Sequence, residues 1–137
     1  MAKRRRGSAR GIARAAARAN AFEVLVDRAL AAIPAPYRDA LQEVAILIED
    51  EPSLEQLREN GLAPDDSLYG LYEGVPRTEY AADLAAIPNR ITLFRRPLED
   101  DFSDADELEE EVRVTVLHEL AHHLGIDDDR LDELGAG

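Results

Sequence analysis

The residues able to do chemistry are concentrated in one run, His118-Glu119-Leu120-Ala121-His122-His123-Leu124-Gly125, which holds all three histidines of the chain. Residues four apart lie one above the other on a helix face, so the imidazoles of His118 and His122 can converge on one cation. Two nitrogens alone hold zinc weakly, and a catalytic zinc site usually takes three protein ligands and keeps a fourth position for water. Glu119 neighbours the first imidazole and is the carboxylate able to accept a proton from a water whose pKa zinc lowers to about 7. That chemistry is hydrolysis of an acyl bond. Gly125 can adopt the left-handed conformation and turn the chain back toward the cation, bringing an aspartate with it. Among Asp127, Asp128 and Asp129, spacing alone does not choose a third ligand. His123 is rotated by roughly 100° from His122 around a helix, so it reads as a packing or supporting residue.

The rest of the chain must position this run. With 137 residues it has room for one core. The absence of cysteine excludes disulfides, thiolate catalysis, zinc fingers and iron–sulfur clusters, so a metal site must be built from His, Asp and Glu. No apolar run is long enough to span a bilayer, and the basic N-terminus is not followed by a signal-peptide core, which predicts a soluble, cytoplasmic protein without a membrane partner. The net charge of −13 is unevenly spread, because seven of the sixteen basic residues precede the first acidic one, Glu23. Beyond them, nine basic residues face 29 acidic ones. Such a body repels phosphate backbones, so nucleic acid is expected as a partner only through the basic stretch. Residues 1–19 contain a single large aliphatic residue, Ile12, and are expected to be a flexible basic arm preceding a domain over 20–137.

Periodicity supplies the elements. From Asn20, placed as a cap, Phe22, Leu25, Val26, Ala29, Leu30 and Ile33 follow a helical spacing that Pro34 stops. A further helical turn is expected after Pro36, and the continuous apolar run Val44–Ile48 predicts a strand covered on both faces. Ser53 and Gln56 predict a capped short helix ending at Asn60-Gly61. Leu68–Glu73 and Arg90–Arg95 read as two more strands, either of which could be the sheet edge, joined by a connection containing Gly74, Pro76 and Pro88. Ser103 or Asp104 can cap a long helix carrying the histidines to Gly125, and Asp127–Leu134 suits a short closing helix.

At the histidine run the chain resembles the zincin metallopeptidases, in the extended pattern His-Glu-x-x-His-x-x-Gly-x-x-Asp, carried here by His118, Glu119, His122, Gly125 and Asp128. Leu71–Glu79, Asn89–Leu98 and Glu111–Leu117 are similar to the small bacterial family of minimal zincins, over about residues 20–135. This resemblance implies an α/β (α+β) fold, a small mixed sheet packed on helices with the motif on a long C-terminal helix. It implies one zinc per chain held by His118, His122 and Asp128, Glu119 as general base, and a peptide or protein substrate. The methionine turn of larger zincins has no counterpart, since Met1 is the only methionine. Tyr69, Tyr72, Arg77 and Tyr80 are candidates to reach the oxyanion, with packing the commoner role for the first two. Two rivals are a non-catalytic metal-containing partner-binding module and a metal-dependent endoribonuclease, whose motif carries Gly and His where this chain has Glu119 and Asp128.

Overall fold

The computed structural model describes residues 9–35, 37–74 and 89–125, with side chains from 17 onward. Among the described residues the order is α1 (Ala9–Ala31), α2 (Tyr37–Ala40) and a 3-10 turn (Leu41–Glu43), then β1 (Ala45–Glu49), α3 (Leu54–Glu59), β2 (Gly70–Glu73), β3 (Arg90–Phe94), α4 (Arg95–Asp101) and α5 (Ala105–Leu124). This is an α+β arrangement of a small mixed sheet and helices, as expected. None of the described helices is long and apolar enough to cross a membrane. The closing helix expected over Asp127–Leu134, and most of the connection after Gly74, lie outside the described residues.

Helix α1 begins at Ala9, within the stretch expected as a basic arm and upstream of Asn20, which is therefore not its cap. The physical reason is local: Ala and Arg are among the strongest helix formers and can extend a helix whose packed segment lies further on. That packed segment buries Phe22, Val26 and Ala29 at alternating intervals of four and three, and Ile33 follows just past its end. Arg38 then donates to the carbonyls of Ala31 and Ile33, both at 3.1 Å, satisfying acceptors that the end of the helix leaves without intrahelical partners.

The sheet order is β1-β3-β2, with β1 parallel and β2 antiparallel to the central β3. The register aligns Ile46 with Ile91 and Tyr72, and Ile48 with Leu93 and Gly70, on the face turned to the main core. Central β3 buries Ile91, Thr92, Leu93 and Phe94. The doubly covered strand is therefore β3, a correction to the reading of Val44–Ile48, whose strand β1 is an outer one with Ala45, Leu47 and Glu49 exposed. Apolar Leu47 on the open face had masked the alternation. The helical turn α4 directly after β3 was not anticipated. Arg95 starts it, ion-paired with Asp50 at 2.8 Å and Glu99 at 2.6 Å, and Pro97 falls in the first turn, where its missing N–H costs no bond.

Helix α5 carries the histidines. Asp104 caps it, accepting from the N–H groups of Asp106 and Glu107 at 3.1 and 3.0 Å, and Gly125 ends it with a φ of 72°. Val112, Val116, Leu120 and Ala121 bury one side against α1 and the sheet. Close contact with β2 depends on Gly70, where an added Cβ would lie 2.6 Å from Thr115 Cγ2. Thr115 is β-branched and cannot swing aside cheaply. Gly70→Ala should lose about 1–3 kcal/mol in urea denaturation, and combining it with Thr115→Ala should recover more than about 0.5 kcal/mol beyond additivity. Strict additivity would show that this approach does not set the helix-to-strand spacing.

Candidate active site

The site forms where α5 crosses β2. Thr115 sits against Gly70, and one helical turn later Glu119 reaches the next same-face residue of the strand, Tyr72. Four helical residues rise about 6 Å, and two strand residues about 6.6 Å, so the two repeats stay in step. Glu119 Oε2 accepts from the backbone N–H of Tyr72 at 3.0 Å. That N–H is available because Tyr72, like Gly70, belongs to a pair that does not exchange bonds with β3: Phe94 N–H bonds to the Tyr69 carbonyl instead, setting the alternation. The same carboxylate oxygen lies 3.2 Å from His122 Nδ1.

His118 and His122 face each other with ring centroids 5.9 Å apart and planes at 72°. Two zinc–nitrogen bonds of roughly 2.0–2.1 Å, with the ring radii added, span that gap, and neutral imidazole is a common zinc ligand. The donor set therefore suits such a cation as far as the two imidazoles go. Asp128 lies outside the described residues, and among the described residues no group of three or more His, Asp or Glu side chains is gathered as a ligand set.

Residues 41–137 match the family described as zincin-like metallopeptidase. The chain belongs to the zincin-like metallopeptidases. No curated protein matches it. The family match starts at Leu41, later than the resemblance read from about residue 20, so α1 precedes the matched span while supplying Phe22 and Val26 to the common core.

Beneath the metallopeptidase motif lies a polar network that the sequence did not announce. His123 is fully buried, with Nε2 2.7 Å from Glu43 and Nδ1 3.2 Å from the Tyr72 hydroxyl, which itself donates to Asn89 Oδ1 at 2.8 Å. An ionised carboxylate can only accept, so Nε2–H is the donor to Glu43. The Tyr72 and His123 rings also meet edge to face at 5.7 Å. Tyr72 thus touches the site twice: its N–H holds Glu119, and its side chain is held by His123 and Asn89. His123 has the supporting role expected for it. Of the oxyanion candidates, Tyr72 directs its hydroxyl into this network and Tyr69 donates to Asp101, while Arg77 and Tyr80 lie outside the described residues. Only the burial of a histidine next to His122 could have signalled the network, because Glu43 is 80 residues away in the chain.

Removing the acceptor of His123 Nε2–H by Glu43→Ala should lower stability by about 1–3 kcal/mol. Glu55→Ala, at an exposed position on α3, should change it by less than about 0.5 kcal/mol. Equal effects in urea denaturation would show that the network does not hold α5 in place.

Proposed function

We propose that this zincin-like metallopeptidase hydrolyses peptide bonds with one zinc ion held by His118, His122 and Asp128 and with Glu119 as general base. The observation that carries the reading is the placement of the Glu119 carboxylate: beside the paired imidazoles, and held by a backbone N–H of an outer strand. When bound, zinc supplies Lewis-acid polarisation of the scissile carbonyl and a water of lowered pKa. Glu119 accepts a proton from the attacking water and returns it to the departing amine. Its anchoring by Tyr72 N–H restricts the carboxylate to one orientation, so little reorganisation accompanies the transfer. His123 and Asn89 steady Tyr72 from below. Outer strand β2 is unpaired with any other described strand on its far side, and its outward main-chain groups other than the Tyr72 N–H, which Glu119 takes, are available to an extended peptide.

Elemental analysis of protein purified without added metal should find about one zinc per chain, with substantial loss on Asp128→Ala or His122→Ala. Glu119→Gln should retain the zinc and lose about 10²–10⁴-fold in peptide cleavage. Full turnover by Glu119→Gln removes that residue from the mechanism. Zinc bound without cleavage of any peptide points instead to a non-catalytic module in which metal contributes to folding, seen as a fall in unfolding temperature on chelation.

A further inference from the structure

Between β2 and α5 a cavity of about 250 Å³ opens beside the candidate site. Its near end is bounded by His118 and Glu119, its flanks include Leu68, Gly70 and Val114, and its wall continues along α5 to Glu111. Glu111, Val114 and His118 are spaced three and four apart and therefore share one helix face. His118 lies seven positions after Glu111, roughly 10 Å along the axis. The lining is thus apolar in the middle and ends in a carboxylate about two turns from the proposed scissile bond.

That carboxylate has an unusual setting. Glu111 is partly buried, and the neighbouring acids are paired elsewhere: Glu109 with Arg28, and Glu110 with Arg113. No cation among the described residues is paired with Glu111. Desolvation by burial, and next the charge of Glu110, raise its carboxyl above the ordinary value. Close by, the hydrogen bond to Asp101, with desolvation and the charges of Asp101 and Glu111 adding to it, pushes the Tyr69 hydroxyl up to about 12. Part of each shift comes from neighbouring carboxylates, Glu110 acting on Glu111 and Asp101 and Glu111 acting on Tyr69, so acidic groups gather at this end of the cavity.

We propose that this cavity is a specificity subsite for a basic side chain of an extended peptide, its aliphatic stem passing Leu68, Gly70 and Val114 and its cationic head meeting Glu111. Lysine and arginine combine an apolar stem with a terminal charge, which is the order of surfaces found along the cavity. The proposal rests on the peptidase reading only for the direction in which the peptide runs past Glu119.

The test measures binding of acetyl-Ala-Ala-X-Ala-Ala-amide peptides to the zinc-loaded full chain by calorimetry. The Glu119→Gln background prevents turnover, and X is lysine, norleucine or glutamate. The lysine peptide should bind about fivefold tighter than the norleucine peptide, with the glutamate peptide weakest, and the preference should shrink as salt is raised. Adding Glu111→Gln should bring lysine and norleucine to within about twofold, and Glu111→Lys should move the preference to glutamate. A lysine preference that survives Glu111→Gln, a wild-type order with norleucine at or above lysine, or no binding of any peptide overturns the subsite. Glu111-dependent binding with no cleavage by the wild-type enzyme sinks the peptidase reading and leaves the subsite standing. Cleavage indifferent to both X and Glu111 does the reverse.

Stability supplies an independent readout. Because folding raises the Glu111 pKa, the group's favourable contribution is present below the unfolded value and is lost as pH rises through the folded value. Glu111→Gln should therefore be at least as stable as wild type at pH 7, with the difference vanishing below about pH 4. A loss of stability on Glu111→Gln at pH 7 would mean that Glu111 already has a stabilising partner within the fold, and would overturn the open-carboxylate argument.

Discussion

The packing of α5 on β2 is the constraint on which the site depends. Gly70 lets Thr115 approach to a distance that a Cβ would forbid, and that approach brings Glu119 within 3.0 Å of the Tyr72 N–H. Helical and extended chains have different repeats, yet one helical turn and two strand residues advance by similar amounts. Two successive contacts can therefore form without bending either element. The outer position of β2 matters equally, because a second pairing partner would have consumed the N–H that orients the carboxylate.

A second layer keeps that contact from slipping. Glu43, at the end of the 3-10 turn, His123 on α5, Tyr72 on β2 and Asn89 at the start of β3 form a continuous polar chain, and His123 within it is fully buried. Apolar packing alone tolerates small slides, since dispersion is non-directional; hydrogen bonds of defined length do not. Buried polar atoms must also be satisfied, so a shift of α5 would cost several bonds together. Among the described residues no buried side-chain nitrogen or oxygen lacks a partner. The apolar faces of α1, α5 and β3 supply the bulk of the core, and the polar chain selects one register for it.

Electrostatics gives the molecule a direction. Acidic residues outnumber basic ones by 29 to 16 in the whole chain, and beyond Glu23 the imbalance is greater. Such a field disfavours polyanions. Glu111 lines the cavity beside His118 and Glu119, and Asp101 accepts from the hydroxyl of Tyr69, another residue of its lining. The endoribonuclease rival fits neither this charge nor the family match.

The sequence by itself determined the chemistry-bearing run and the elements written in local signals. His118, Glu119 and His122 are legible because helical spacing and residue type coincide within five positions. Ser53 with Gln56, Asp104 and Gly125 are legible because caps are formed by neighbours in the chain. Tertiary structure decided the rest. Which strand is central depends on what packs on each face, so β1 and β3, both apolar in sequence, were distinguishable only once assembled. The start of α1 at Ala9 reflects intrinsic helix propensity in a stretch that has too few apolar residues to signal a buried face. The anchors of the site were invisible for a different reason: Glu119 is held by a backbone group 47 residues distant, and His123 by a carboxylate 80 residues distant. Backbone donors carry no residue signature, and one glutamate among many carries no sign of its partner. Periodicity reports local geometry, whereas a site is made by what folding brings across the chain.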